Sequence, residues 1–227
     1  MGIFRRANSN QNIIVGLILL VSLAFLAGPD ALARFLTPIS PYFEGVPCDR
    51  LRTANDRANH QSLLGRSATN PIQLRVAAST LPTDPTGSLI ITITVINNSV
   101  GSVPIVYNPN EVIIGDNGTN GLGVIFSPQL TINGVGLGVR SQQPATIPET
   151  DIRVLGPRQR CIHRIDIAAG NLVGTALQSG SASVTAFYRG NTAGAVPAAN
   201  PTPIYNDQGL PTGIAQSSPV TILLAGQ

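Results

Sequence analysis

Apolar and polar residues alternate with a period of two over much of the chain after Asn70. In residues 89–96 every second side chain is a large aliphatic one, and two threonines stand between them. This alternation is typical of a β-strand with one buried face, and no segment after Gly65 keeps a 3.6-residue period over ten residues. The same pattern predicts further short strands at 72–77, 103–107, 111–115, 121–126, 130–132 with 135–139, 151–155, 161–168, 181–188 and 220–224.

Clusters of Gly, Pro, Asn and Ser separate these strands at short intervals, which favours an antiparallel β-sandwich or barrel over residues 70–227. Two segments are too long and too irregular for simple turns, 134–149 and 190–218. Loops of this length are usually either functional or disordered. In the second segment Ile204 and Tyr205 form an apolar island, so we take them as the candidate partner contact; the alternative is that these loops cover a sheet edge.

The N-terminus has a different pattern. Arg5 and Arg6 precede an apolar run over residues 13–27, and weaker apolar character continues to Leu36. Positive charge before an apolar run predicts that the N-terminus is cytoplasmic and the remainder lies outside. The segment is either a signal peptide cleaved after Ala33 or a retained anchor. Because roughly 16 helical residues span about 24 Å, an anchor in a core of about 30 Å needs the extension to Leu36.

Residues 37–69 predict a Pro-rich stalk followed by a polar linker. The stalk cannot be regular helix or central strand because of its prolines. Tyr42 and Phe43 are candidates for the membrane interface, where aromatic side chains concentrate, or they pack on the domain. The linker combines Asp, Arg, His and Cys, but their spacing matches no metal-ligand template, so we expect a solvated, salt-bridged segment that packs loosely against the sandwich.

The two cysteines, Cys48 and Cys161, are the only ones in the chain. In an oxidising compartment such a pair predicts a disulfide that fastens the linker to a strand of the domain, and two independent thiols are the alternative. His163 lies two residues after Cys161, but strand neighbours two apart share a face without pointing at each other, which disfavours a nucleophilic Cys–His pair.

Composition narrows the function class. Charged residues are only 11% of the chain, every basic side chain is Arg, and these residues are scattered despite a net charge of +3. Nucleic-acid binding is therefore not expected, since it needs a basic patch. The sequence contains no nucleophile motif and no phosphate cradle followed by a helix pattern. Residues 116–121 begin like a calcium loop but lack its bidentate acid. We expect no enzyme activity, no cofactor and no metal.

Four features resemble the immunoglobulin-like and fibronectin-III-like domains found outside bacterial cells. The strand at 89–96, ending in Asn-Asn-Ser, resembles their second strand, and residues 181–188 and 219–224 resemble the last two. Residues 155–159 resemble a turn that precedes a strand of the opposite sheet. The chain lacks the core Trp and the inter-sheet Cys pair of antibody domains. The resemblance implies adhesion, spacing or partner docking.

We therefore expect an all-β protein, an antiparallel immunoglobulin-like β-sandwich preceded by one N-terminal membrane-inserting helix. Residues 1–36 would be the cytoplasmic tip and anchor, and 13–36 would contact the lipid bilayer. The domain would lie in the periplasm or at the cell surface, or be secreted if the segment is cleaved. The expected function is a membrane-tethered accessory subunit that binds other envelope or membrane proteins. The alternative is a self-associating subunit of a surface layer, filament or adhesin.

Overall fold

The computed structural model describes residues 45–54, 70–81, 84, 86–109, 113–115, 118–128, 131–132, 146–173, 181–196 and 206–223. Within these residues the regular structure is β-strand, with three short 3-10 helices between strands. The strands are β1 (Val46–Pro47), β2 (Arg52–Thr53), β3 (Ile72–Ala78), β4 (Ser88–Asn97), β5 (Val103–Val106), β6 (Ile113–Ile114), β7 (Gly121–Ser127), β8 (Thr131–Ile132), β9 (Ile152–Leu155), β10 (Arg160–Ala168), β11 (Leu172–Val173), β12 (Ser181–Gly190), β13 (Gly213–Gln216) and β14 (Val220–Leu223). The predicted all-β class is confirmed.

A four-stranded sheet has the order β1-β10-β4-β3. In β4 every second side chain from Leu89 to Val95 is fully buried, and the side chains between them are half-buried. β4 pairs antiparallel with β10 and with β3, and this register aligns Val95 with Cys161 on one side and with Leu74 on the other. The apolar side chains of three strands therefore lie on one face, as the period-two pattern requires.

A five-stranded sheet is centred on β12, which pairs with β7 on one side and with both β13 and β14 on the other. Between β13 and β14, Ser217 bonds twice to Ala186 of β12. Its N–H donates to the Ala186 carbonyl at 2.9 Å, and its hydroxyl accepts from the Ala186 N–H at 3.0 Å. β13 and β14 thus behave as one interrupted edge strand.

The inward faces of these two sheets contribute to a single hydrophobic core. Each fully buried aliphatic or aromatic side chain contributes about 1.5–3 kcal/mol through burial. The largest contributors are Leu74, Leu89, Ile91, Ile93, Val95, Ile165 and Ile167 from the four-stranded sheet and Leu122, Val124, Phe126, Val184, Tyr188 and Ile222 from the five-stranded sheet.

A smaller three-stranded sheet, β2-β9-β5, covers a second cluster. This cluster contains Ala54, Val106, Ile147, Ile152 and Leu210, all buried. Its members come from four distant parts of the chain. Packing them against this sheet removes their apolar side chains from water. The two-stranded pair β8–β11 completes the described strands.

Residues 45–54 join these sheets, although the sequence predicted a solvated linker there. β1 pairs in parallel with β10, and β2 pairs with β9. Cys48, Leu51 and Ala54 are buried. The few apolar residues of this polar stretch thus enter the two clusters, and their burial draws the backbone onto the sheet edges. The rest of the expected linker and the expected membrane segment 13–36 lie outside the described residues.

Most predicted strands are present, with ends shifted by one or two residues. Four short strands were missed, namely β1, β2, β11 and β13. Two of them have only polar or Pro-containing dipeptides, and β13 (Gly-Ile-Ala-Gln) lies inside the segment predicted as a long loop. Such short segments form strands because a neighbouring strand has backbone N–H and C=O groups to pair with them. This is a tertiary effect, and the period of the sequence does not predict it. The predicted strand at 135–139 lies outside the described residues.

Candidate functional site

The first predicted feature of the site, the disulfide, is present. Cys48 and Cys161 are bonded with their Cα atoms 4.9 Å apart and 113 residues apart in sequence. Cys48 follows β1 directly, and Cys161 lies on the inward face of β10, so both are fully buried. The predicted pairing is confirmed, and it excludes Cys161 as a free nucleophile. The bond fixes the entry of residues 45–48 to the centre of the fold.

Next to the disulfide, His163 and Tyr107 form a buried pair. The Tyr107 hydroxyl lies 2.8 Å from His163 Nδ1, and the rings meet edge to face with centroids 5.2 Å apart. His163 stands on the inward face of β10, and Tyr107 follows β5, where its N–H donates to the Asp151 carbonyl at 2.8 Å. The pair therefore ties the four-stranded sheet to the three-stranded one.

Burial keeps both members of this pair neutral. It raises the pKa of Tyr107 to about 12, an effect that the charge of Asp49 reinforces and that of Arg153 opposes. Burial also lowers the pKa of His163, and Asp49 opposes this. We assign the phenol as the donor and Nδ1 as the acceptor, which leaves the imidazole proton on Nε2. The arrangement favours a permanent structural hydrogen bond.

A shallow cleft opens beside this pair, lined by Val106, Tyr107, Asn108, Ile113, Asn120, Gly121, Leu122 and His163. The sequence did not single out Tyr107 or this cleft. One signal was available: His163 is the polar residue on an otherwise apolar strand face, and a buried imidazole requires a partner. No group of three or more His, Cys, Asp or Glu suited to a metal ion occurs among the residues that the structure describes.

The second predicted feature is the 190–218 segment, of which the structure describes residues 190–196 and 206–218. Residues 193–196 and 206–210 run antiparallel, joined by bonds from Gln208 N–H to the Gly194 carbonyl at 3.0 Å and from Leu210 N–H to the Ala193 carbonyl at 3.2 Å. We call this ladder the base hairpin. It is not a free loop, since Leu210 is buried in the smaller cluster and β13 follows it.

Gln208 anchors the base hairpin to the other predicted loop, 134–149. Its side chain is buried and brackets Ile147, accepting from the Ile147 N–H at 3.0 Å and donating to the Ile147 carbonyl at 2.7 Å. A Cβ on Gly194 would lie 2.2 Å from Gln208 Oε1, so only glycine allows this approach. The structure thus joins the two segments that the sequence proposed as interaction surface.

The remaining predicted positions lie outside the described residues. These are the candidate contact residues Ile204 and Tyr205, which fall between the two halves of the base hairpin, and the candidate interface residues Tyr42 and Phe43. In the part of the chain that is described, no helix is long and apolar enough to cross a membrane. The sequence matches no protein-family model, no curated protein and no solved structure at a significant level.

Proposed function

We propose that this chain is a non-enzymatic, membrane-tethered interaction module that works outside the cytoplasm as an accessory subunit of an envelope or membrane complex. The observation that carries the proposal is the buried Cys48–Cys161 disulfide. Disulfides persist in oxidising compartments, and this one begins just after the predicted anchor and stalk. The disulfide would fasten the end of the proposed tether to the core of the domain.

The strand order supports an immunoglobulin-like sandwich as the architecture of this module. Such domains place their second strand between the first and the fifth, and their sixth between the third and the seventh. Here β4 lies between β3 and β10, and β12 lies between β7 and the β13–β14 edge. This order supports the resemblance of β4 to the second strand, of β12 to the penultimate strand and of β14 to the last strand of such domains. Domains of this architecture commonly present loops to partners from a rigid frame.

The contact surface that we propose is the 197–205 segment carrying Ile204 and Tyr205. Its support is the base hairpin, which the Gln208–Ile147 bonds fix to the body of the domain. Nine residues between two fixed ends would lose less conformational entropy on binding than a free loop of 29 residues would. Partner proteins of the envelope are its proposed ligands.

A self-associating structural subunit is the second candidate, because of one specific observation. β13 is a sheet edge whose Ile214 side chain is 48% exposed. Exposed edge strands with apolar side chains are sites of strand addition between copies. Under this alternative β13, rather than the 197–205 segment, makes the lateral contact.

Native mass measurement after mild-detergent purification of the full chain separates the two candidates. A defined set of unlike partners supports the accessory role, whereas an open series of self-multiples supports the structural subunit. The double substitution Ile204→Ser with Tyr205→Ser should release the partners, and Val100→Ser is the matched control because Val100 is 83% exposed elsewhere. Retention of every partner by the double variant contradicts the proposed contact, and turnover of a substrate by the domain contradicts the non-enzymatic role.

A further inference from the structure

The outer face of the four-stranded sheet differs in charge from that of the five-stranded sheet. β3 and β10 present Arg75, Arg160 and Arg164 outward, all exposed. Asp166 is the one acid in the described strands of this sheet, so three arginines less one aspartate give +2. The strands of the five-stranded sheet contain one charged residue, Arg189. Charge is therefore concentrated on one face.

The register arranges these charges around a strip of hydroxyls. Arg75 is the cross-strand neighbour of Thr94, and Arg164 is that of Thr92. Both threonines are half-buried on the outer side of β4. Arg164 also pairs with Asp166 at 3.3 Å, but both side chains remain more than half exposed, so water screens this contact. We call the surface formed by Arg75, Arg160, Arg164, Thr92 and Thr94 the basic face.

The basic face also belongs to the sheet through which the chain enters the domain. β1 is the edge strand beside β10, and it begins at Val46. Nine residues separate Val46 from Leu36, where the predicted anchor ends. Because an extended chain covers at most about 3.3–3.6 Å per residue, a tether whose anchor ends at Leu36 would limit the distance between that anchor and this edge to roughly 35 Å.

We propose that the basic face docks on the anionic phospholipid headgroups of the membrane to which the chain is tethered, an inference that rests on the proposed tether. Guanidinium groups bind phosphate oxygens in a bidentate manner, and threonine hydroxyls donate to the same oxygens. Two net charges bind a lipid surface weakly from solution. A short tether raises the local concentration of that surface, so the same contacts suffice to orient the domain.

The test uses the absence of tryptophan from the chain. Ala77→Trp places a single fluorophore on the exposed edge strand of the basic face, beside Thr92. Thr185→Trp places one on the outer side of β12 as the matched control. The full chain is reconstituted in vesicles of phosphatidylcholine alone or with phosphatidylglycerol, each containing brominated lipid as quencher. We expect quenching of the Ala77→Trp variant to increase with phosphatidylglycerol and to fall with salt, and that of Thr185→Trp to stay unchanged.

Charge removal gives a second readout in the same vesicles. Adding Arg75→Gln to the Ala77→Trp chain should lower the ratio of docked to undocked domain on the order of fivefold. Arg52→Gln is the matched control, because Arg52 is exposed on β2 in the three-stranded sheet. If Ala77→Trp disturbs the strand, Gln73→Trp on the same face replaces it.

The outcomes separate this inference from the proposed function. If the chain floats with both vesicle types and the Ala77→Trp variant is quenched equally in both, the basic face does not bind lipid and the tether stands. If the chain floats with neither vesicle type, the tether itself fails and docking fails with it.

Discussion

Among single residues, Asn97 has a fully buried side chain that makes five hydrogen bonds. Its Nδ2 donates to the carbonyls of Gly101 and Gly156 at 2.8 Å and of Leu155 at 3.3 Å. Its Oδ1 accepts from the N–H and the hydroxyl of Ser99, both at 2.8 Å. Asn97 thus joins the end of β4 to the turn before β10. Although Asn97-Asn-Ser fits the glycosylation pattern, this side chain is fully buried and fully bonded in the folded domain.

Replacing Asn97 by Ala should lower the free energy of unfolding by about 3 kcal/mol, because buried carbonyls and the Ser99 donors lose their partner. Urea unfolding measures the change. Asn98→Ala is the matched control, since the exposed Asn98 amide makes one bond to Gln73, at 3.2 Å, and its loss should change the free energy by less than about 0.5 kcal/mol. Equal effects of the two substitutions would show that Asn97 is not the junction described above.

His163 makes stability depend on pH. Burial lowers its pKa below the ordinary value of 6.5, so the unfolded chain takes up a proton that the folded domain resists. The stabilisation is present above about pH 6.5 and is lost as the pH falls through the folded-state pKa, by up to about 1.4 kcal/mol per pH unit. His163→Gln keeps an acceptor and should flatten the curve of unfolding free energy between pH 7 and 5.

The control for this pH dependence is the chain's other histidine, His60. His60→Gln should leave the acid-side loss of stability intact. Asp49 and Arg153 are the charged groups that act on the Tyr107–His163 pair. An unchanged slope in His163→Gln, or a slope abolished by His60→Gln, would contradict the account of this pair.

At the scale of elements, β7 and β12 pack closely because Gly123 has no side chain. Gly123 faces Phe187 across the pair, and the Phe187 ring is 1% exposed on the side of the sheet away from the main core. A Cβ on Gly123 would lie 2.5 Å from the Ile113 carbonyl oxygen and 2.6 Å from Phe187 Cζ. The aromatic ring therefore covers the glycine and protects the backbone of both strands.

Gly123→Ala should lower the free energy of unfolding by about 2–3 kcal/mol, since either β6 or the Phe187 ring must move. Thermal unfolding followed by far-ultraviolet circular dichroism measures it. Gly156→Ala is the control: the added Cβ would meet only the flexible Gln159 side chain, at 3.2 Å, so the loss should be smaller than about 1 kcal/mol. A Gly123→Ala protein as stable as the parent would mean that β6 does not pack on β7 as described.

The longer strands could be predicted, because burial of one face of a strand requires an apolar residue at every second position. β4 and β10 show this most clearly, since their alternating positions are buried throughout. The base hairpin could not be predicted, because Gln208 and Leu210 contact residues about 60 positions earlier. β13 could not be predicted either, because it forms by pairing with β12. The Tyr107–His163 pair has the same origin, with its two members 56 residues apart. Contacts of this range leave no local pattern in the sequence.

In the whole molecule, the disulfide joins the start of the described chain to a central strand of the domain. It closes a loop of 113 residues, and the chain-entropy model gives such a loop at most about 5 kcal/mol of stabilisation. It also links the entry of the chain to β10, beside the Tyr107–His163 pair. The pairing of Cys48 with Cys161 could be predicted because the chain has no other cysteine, whereas the burial of Leu51 and Ala54 around it could not.

We propose that residues 45–227 fold outside the cytoplasm while the N-terminus holds them to the membrane. Protease added to intact spheroplasts expressing the full chain, followed by non-reducing peptide mapping of membrane and supernatant, tests it most directly. We expect that the untreated chain resists carbonate extraction, that external protease removes residues beyond about Leu36, and that Cys48 and Cys161 are recovered as one linked peptide. Full protection from protease with both thiols free to alkylation would contradict the claim, and a soluble product beginning at Arg34 would leave an exported domain without its tether.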